Sequence, residues 1–433
     1  MREFDLQLPR HHGTTLRHLR IRLPERFNIG RRLQRTGLAG YEPHTLACCL
    51  AALDVAPPGA FFDVGANVGV FSWLVAAATD RAVTAFEPVP WLLDGVRSVA
   101  SANALEIRCE AIALSSSSGP ATFYVSAKSD CSNSLREGFR KASETLDVAV
   151  DTLDEYVERT ALRPALLKID TESTEPDVLS GGLGCIRHHK PWIVCEVLAG
   201  RTEAELMKVL ASLEYAWYQI TDDDRWPERS IITGDRSYRF VNWLFVPGRL
   251  DEGFWSALAN RREQLRYCTP EPGLVRVDVA ANDLTTLGKE SSVAGWTSTA
   301  SAGNRTRATL DGLELVAKMN KGERYFVFNG RGQPRFDEPP PEDGAWSMTP
   351  GKTYELRVRL HRKNGSMPLQ MWVLEYGDQE PLAHHKIRMA KGENRLRFVA
   401  DGQSRRARVV FRVSGRGRVV VEDLATYEVH GAE

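Results

Sequence analysis

From residue 59 to residue 246, short apolar runs alternate with helical patterns, and that alternation restricts the fold more than any other feature of the 433 residues. Strands are expected at Ala60–Val64, Ala82–Phe86, Glu106–Leu114, Ala165–Ile169, Trp192–Cys195, Trp217–Ile220 and Phe240–Val246. Helices are expected at Val70–Ala78, Trp91–Asn103, Pro176–Cys185 and Glu203–Leu213. Strands that alternate with helices build βαβ units, hence an α/β fold with a doubly wound, mostly parallel sheet covered on both faces. Such sheets take ligands at the carboxyl ends of their strands, near the point where strand order reverses.

The last 160 or so residues read differently. Tyr354–Leu360 alternates apolar Leu356, Val358 and Leu360 with polar Glu355, Arg357 and Arg359, the period-two pattern of a half-buried antiparallel strand. Leu274–Val279, Leu369–Tyr376, Asn394–Val399 and Arg406–Val413 repeat it, with turns such as Lys363-Asn364-Gly365 between them. An all-β sandwich or jelly-roll domain is expected here. Thr269-Pro270-Glu271-Pro272-Gly273 is turn punctuation, and all seven cysteines precede it. The expected organisation is an N-terminal helical or arm segment over 1–58, an α/β domain over 59–250, a linker over 251–272 and the β domain over 273–433. In the arm, Arg17, Arg20, Arg22, Arg26, Arg31, Arg32 and Arg35 interleave with leucines, as a substrate-facing lid or a solvated face would.

Lys+Arg and Asp+Glu both number 56, which argues against a general nucleic-acid binder. No apolar run approaches the ~20 residues of a membrane span, and the N-terminus lacks the apolar core of a secretory signal. No cysteine pair has C-x-x-C spacing, so reduced thiols in a cytoplasmic protein are expected. Self-association stays open.

Asp63-Val-Gly65-Ala66-Asn67-Val-Gly69 follows the first strand and opens a helix. Glycines let the main chain pass close to a ligand, and the helix N-terminus offers free amides. Glu87 ends the next strand, where a carboxylate can accept from both hydroxyls of a ribose. The dinucleotide pattern G-x-G-x-x-G is not met, because Asn67 stands at its middle position and the last glycine falls at 69. The bland reading is an ordinary βα turn with a capping glutamate.

Six blocks carry a resemblance: FFDVGANVGVFSWLVA, AFEPVP, EAIALSSSSG, VDTLDEYV, LLKIDTESTEPDVLSGG and KPWIVCEV. In this order they resemble the FkbM family of S-adenosylmethionine-dependent methyltransferases over about residues 41–197. The resemblance implies a class I methyltransferase fold, Rossmann-like, and methyl transfer to a hydroxyl oxygen. It implies that Asp63, Gly65, Ala66, Asn67 and Gly69 form the cofactor loop, that Glu87 with Pro88 holds the ribose, and that Glu110, Ala111 and Ala113 border the adenine. Glu42, in an entry segment, and Ser134, in a small-residue loop, are expected near the cofactor. Lys168-Ile-Asp170-Thr-Glu172-Ser-Thr-Glu175 matches the block at the catalytic strand tip. Two departures stand out: Ser173 replaces a glycine, and Leu198 stands where a histidine often follows Glu196.

Methyl transfer from a sulfonium is an in-line displacement, so alignment is the main task. An alcohol must also lose its proton, to a carboxylate or with the help of a divalent ion. Asp170 and Glu172 are the expected bases. They would share a face if the strand continued. Lys168 would pair with a carboxylate, and Glu196 from the neighbouring strand completes the catalytic set. Asp170, Glu172 and Glu196 are also an oxygen-rich set that Mg²⁺ would accept. The competing view of each charge is a solvated loop or helix cap. The Asn/Asp-Pro-Pro-Tyr/Phe motif of nucleobase methyltransferases is absent from the strand tip, which argues against nucleic acid as partner.

The expected function is S-adenosylmethionine-dependent O-methylation of a sugar on a glycan or glycolipid. The β domain resembles carbohydrate-binding modules in layout only, and Trp296, Tyr325, Trp346, Trp372 and Tyr376 are its candidate sugar platforms or core aromatics. The alternatives are a polyketide or other secondary-metabolite hydroxyl as acceptor, or a catalytically impaired glycan-binding protein that keeps the methyltransferase fold. An NAD-dependent dehydrogenase is more remote.

Overall fold

The structure is a computed structural model. It describes residues 1–9, 18–126, 133–136, 142–271, 274–277, 296–298, 305–309, 312–328, 345–364, 368–377 and 381–430. The chain separates into two compact units, one of Met1–Asp235 with Phe240–Pro270 and one of Arg236–Arg239 with Glu271–Glu433. No helix among the described residues is long and apolar enough to cross a membrane.

The first unit opens with a hairpin of β1 (Arg2–Gln7) and β2 (His18–Leu23), followed by helices α1 (Asn28–Thr36) and α2 (Pro43–Val55). Leu19, Ile21 and Leu23 are buried while Arg20 and Arg22 are exposed. The segment expected as helical or as an arm thus begins as strands whose period-two alternation puts Leu19, Ile21 and Leu23 inward and arginines in water.

The α/β body runs β3 (Ala60–Val64), α3 (Val70–Ala78), β4 (Val83–Phe86), α4 (Pro90–Ala102), β5 (Ile107–Glu110), β6 (Ile112–Leu114), β7 (Gly119–Ser126) and β8 (Ala142–Asp151). It continues α5 (Leu153–Thr160), β9 (Pro164–Ile169), α6 (Glu175–Ser180), α7 (Leu183–His189), β10 (Trp192–Glu196), α8 (Glu203–Leu210), β11 (Ala216–Gln219), β12 (Asn242–Val246) and α9 (Glu252–Arg266). Seven strands form one sheet in the order β11-β12-β10-β9-β3-β4-β5, with β12 antiparallel to its neighbours and the β10–β9–β3–β4–β5 run parallel. Every residue of β3 and β9 is buried, as central parallel strands require. Strand order reverses between β3 and β9, so the ligand crevice of such a fold lies over those two tips.

Local chemistry fixes several ends. Thr152 accepts from the Glu155 amide at the start of α5, half of a capping box. Pro90 sits in the first turn of α4, where its missing N–H costs nothing. The helix expected over 176–185 is two helices, α6 and α7, broken at Gly181-Gly182. A Cβ at Gly181 would lie 2.1 Å from the Ser115 carbonyl oxygen, so a close crossing of chains sets the break.

The expected linker 251–272 is mostly helix. Asp251 caps α9 by accepting from the Phe254 amide at 3.0 Å. Phe254, Leu258, Arg261 and Leu265 are buried along one helical face. Arg261 holds Asp54 of α2 through two bonds of 2.8 and 2.6 Å, so this helix belongs to the core of the first unit. β6, β8 and β7 form a separate three-stranded arm.

The second unit is all-β and antiparallel: β13 (Leu274–Arg276), β14 (Trp296–Ser298), β15 (Arg305–Thr309), β16 (Gly312–Phe328), β17 (Trp346–Ser347), β18 (Thr353–Asn364), β19 (Leu369–Tyr376), β20 (Pro381–Arg388), β21 (Gly392–Val399) and β22 (Arg406–Val429). β22 is its spine. β16 lies along one edge of it, and β18 then β19 follow one another along the other. β20 pairs with β19 and β21 with β18. Leu356 and Val358 of one half and Met371 and Val373 of the other meet in a single apolar core with Phe411 and Val421 of β22. The strand expected at 406–413 therefore runs on to 429, and β20 is a strand the sequence reading passed over. Within 274–279, residues 278–279 lie outside the described residues.

Candidate active site

At the tip of β3 the amides of Gly65 and Ala66 both donate to the Phe86 carbonyl, at 3.0 Å each. Gly65 has φ +79°, and a Cβ there would sit 2.0 Å from the Asp170 carbonyl oxygen. That glycine is demanded first by the approach of the β9 tip. Gly69, at φ +98°, opens α3 against Val96 and Trp73. Asn67 between them is also left-handed, at φ +52°. Asp63 is buried, and its Oδ2 accepts from the amide and hydroxyl of Ser72 at 3.1 and 2.6 Å. Burial pushes its carboxyl up to about 6, with Ser72 and Lys168 opposing.

Glu87 ends β4. Its Oε2 accepts from the Asn67 amide and its Oε1 from the Val89 amide, both at 2.9 Å. Each oxygen keeps a second lone pair, the valence a vicinal diol needs. Burial pushes the Glu87 carboxyl up to about 7, with the two amides pulling the other way. Pro88 beside it is buried. At the end of β5, Glu110 receives the Tyr156 hydroxyl at 3.0 Å, and Ala111 is exposed. Ala113 lies on β6 of the separate arm with its side chain in the apolar core.

The β9 tip is built differently. Lys168 is 1% exposed. Its Nζ donates to Asp170 Oδ2 at 2.8 Å and lies 4.9 Å from the Phe71 ring centroid. Burial opposes its charge, yet Asp170, Glu42 and Asp63 together raise its pKa above the usual lysine range. Lys168 is thus a fixed cation. β9 ends at Ile169, so the strand does not carry Asp170 and Glu172 on one face as expected. Left-handed Glu172 (φ +58°) and Ser173 (φ +87°) reverse the chain instead. The turn is closed by Glu175, whose Oε1 accepts from the Thr171 amide, the Thr171 hydroxyl and the Ser173 amide at 2.9, 3.1 and 3.1 Å.

The same turn returns Glu172 toward Asp170 and toward Glu196 at the end of β10. One carboxylate oxygen from each of the three lies within 4.8 Å of the others. Burial, then Asp170, Glu172 and Glu175, push the Glu196 carboxyl well above the usual range, with Lys168 opposing. Burial pushes Glu175 up to about 7, its main-chain amides opposing and Asp170 reinforcing. Ser173 Oγ, Glu175 Oε2 and Glu196 Oε2 are buried with no hydrogen-bond partner among the described residues. Leu198, after Glu196, is an apolar core residue.

Two residues expected at the cofactor border this acidic turn. Ser134 is buried and donates to the Glu172 carbonyl at 2.8 Å, while Arg136 beside it reaches the Ser173 carbonyl at 3.3 Å. Glu42, left-handed at φ +44°, receives Asn242 Nδ2 at 3.3 Å. Burial raises its pKa, with Lys168 opposing and Asp170 reinforcing. Asn242 lies opposite Glu196 in the β10–β12 register and also reaches Thr45 at 3.1 Å. Sequence reasoning missed Asn242. Its one signal is a polar residue at the head of an otherwise apolar strand.

Residues 63–220 match the family model described as the methyltransferase FkbM domain. No protein of curated function matches the sequence. Among solved structures, the methyltransferase FkbM of Methylobacillus flagellatus KT is 16% identical, covering 43% of this chain and 43% of its own, with a TM-score of 0.28. The precorrin-6y C5,15-methyltransferase of Geobacter metallireducens GS-15 is 10% identical, covering 46% and 87%, at 0.27. The carbohydrate-binding module TmCBM61 in complex with β-1,4-galactotriose is 9% identical, covering 31% and 88%, at 0.21. This chain thus spans less than half of the solved FkbM methyltransferase. With the sheet order and the acidic strand tips, the family match shows that the chain carries a methyltransferase FkbM domain over residues 63–220.

Proposed function

We propose that the protein is an S-adenosylmethionine-dependent O-methyltransferase acting on a sugar hydroxyl of a glycan or glycolipid. The observation that carries this reading is the pair of adjoining strand tips: a glycine turn with a diol-ready Glu87, and beside it Asp170, Glu172 and Glu196 within 4.8 Å. Glu87 would receive the ribose hydroxyls. Glu42, Asp63, Asp170 and Glu196 form an acidic wall around one buried lysine, a setting that favours a cationic ligand. The cofactor supplies a methyl group already activated on a sulfonium sulfur. The chain's own part is to aim the acceptor oxygen at that carbon and to take its proton. Asp170 is the assigned acceptor of that proton, with Lys168 holding its Oδ2 in place. Asp170 would keep that proton while the acceptor oxygen takes the methyl group.

The three carboxylates also form an oxygen set of the kind that holds Mg²⁺, which would add to alignment of the acceptor oxygen. Incubation with methyl-labelled S-adenosylmethionine and a panel of oligosaccharides tests the reading. Base-stable label on an oligosaccharide is the expected result. Labelling only of polyketide or other small-molecule hydroxyls would move the acceptor class. Cofactor binding without turnover on any acceptor would support the binding-protein alternative. Loss of turnover in EDTA, restored by Mg²⁺, would support the metal.

A further inference from the structure

Glu42 and Asn242 are 200 residues apart in sequence, and both lie outside the segment matched by the family model. The sheet brings them together. Period-two alternation puts Phe61, Leu166, Val194 and Leu244 of the central strands into the core that also holds Leu46 and Leu50 of α2. Asp63, Lys168 and Glu196 follow two residues later on their parallel strands, and Asn242 precedes Leu244 by two on antiparallel β12. These four therefore share the α2 face at the carboxyl ends of the parallel strands, where ligands of such sheets lie. Asn242 ties the first turn of α2 to that row.

Asn242 is buried. Its Nδ2 donates to Glu42 Oε2 at 3.3 Å and to Thr45 Oγ1 at 3.1 Å. An ionised carboxylate can only accept, so Glu42 sets which way the amide is turned, and both amide protons are used. Oδ1 is then left buried with no hydrogen-bond partner among the described residues, as is Oε2 of Glu196, its cross-strand partner. Buried acceptors left open call for a ligand that brings donors.

The charges specify what kind of donor. Lys168 is already committed to Asp170 Oδ2 at 2.8 Å. Burial raises the Glu42 pKa, with Lys168 opposing, Asp170 reinforcing and the Asn242 bond opposing. Asn242 thus helps to keep Glu42 charged in a place where a further cation is favoured. An ammonium group brings three N–H donors and one positive charge, which answers both needs.

We propose that Asn242 is a positioning residue that holds Glu42 for the α-ammonium group of the methyl donor, so that this pair sets a preference for an amino-bearing ligand. The inference rests on the S-adenosylmethionine reading above. It gives the ligand a direction, with the ribose at the β4 tip and the amino-acid end at the junction of α2 and β12.

The test is calorimetric titration of the full chain with S-adenosylhomocysteine and with its analogue lacking only the α-amino group. EDTA is present, so that no divalent ion stands in for the ammonium. The unaltered protein should prefer S-adenosylhomocysteine by about tenfold or more, the worth of a charge-assisted hydrogen bond. Glu42→Gln should bring the two ligands close to equal affinity. Asn242→Ala and Asn242→Leu, the second of similar volume, should each reduce the preference. Adding either to Glu42→Gln should reduce it no further, because Asn242 acts through Glu42. Glu42→Gln alone carries the test if the Asn242 variants fail to fold. Equal affinity for the two ligands in the unaltered protein, an undiminished preference in Glu42→Gln, or parallel losses for both ligands in the Asn242 variants would each overturn the proposal. Tight binding of both ligands without preference defeats this proposal alone. Binding of neither defeats the methyltransferase reading and this proposal with it.

Discussion

The tips of β3 and β4 and the tips of β9 and β10 adjoin in one crevice and are built on opposite principles. At the first, both Glu87 oxygens accept main-chain amides, and Asp63 is tied to Ser72. At the second, four acids crowd one lysine, two consecutive non-glycine residues are left-handed, and three buried polar atoms have no partner among the described residues. The first arrangement is already stable and needs only a ligand with donors. The second stores unfavourable charge and backbone strain, as expected where chemistry is done. On the function proposed above, binding and reaction would fall to neighbouring but separable structures.

Separability can be broken most sharply at Asp170. Asp170→Asn should lower turnover by roughly 10²–10⁴-fold, the usual worth of a positioned base, while S-adenosylhomocysteine affinity, read by calorimetry, stays nearly constant. Equal losses in both would make Asp170 a binding residue and merge the two regions. Gly65→Ala attacks the joint between them. A Cβ 2.0 Å from the Asp170 carbonyl at φ +79° must move one strand tip. Thermal unfolding should report a loss of roughly 2–4 kcal/mol from left-handed strain and overpacking.

Glu87→Ala probes the binding side alone. It should cost roughly 1.5–3 kcal/mol of S-adenosylhomocysteine affinity if the carboxylate bonds the ribose, with the acidic turn unaffected. The same residue sets a pH dependence. With its carboxyl up at about 7, lowering the pH through that value replaces an acceptor by a donor. Affinity should therefore fall on acidification. The sign for folding is opposite, because a raised acid pKa makes this group's contribution largest below pH 4.5 and lost as pH rises through about 7. Glu87→Gln should flatten the affinity profile between pH 6 and 8, a range chosen to bracket that value.

Ser173→Gly sharpens the other side. It removes a left-handed non-glycine residue and a buried hydroxyl with no partner among the described residues. A gain of about 1–2 kcal/mol in unfolding free energy is expected. A loss would mean that the hydroxyl is satisfied by a group the strain account omits.

What the sequence made legible follows from local causes. Buried strands such as Ile193-Val194-Cys195 declare themselves by continuous apolarity, and acids placed straight after strands mark the tips. The way Asp170 and Glu172 come together was not legible, because it depends on left-handed Glu172 and Ser173 rather than on strand geometry. Helix α9 was hidden by the nearby Pro/Gly punctuation, although Phe254, Leu258 and Leu265 carry helical spacing. Asn242 reaches Glu42 across about 200 residues of chain, a closure that only the sheet order supplies. The break at Gly181 is set by the Ser115 carbonyl, a tertiary contact with no local signature.

The most direct test of the central claim is calorimetric titration of the protein with S-adenosylhomocysteine, run beside NAD⁺ and repeated in Glu87→Ala and Asp170→Asn. The account predicts micromolar binding of S-adenosylhomocysteine alone, weakened about tenfold or more in Glu87→Ala and nearly unchanged in Asp170→Asn. Binding of NAD⁺ instead, or an Asp170→Asn loss as large as that of Glu87→Ala, would contradict it.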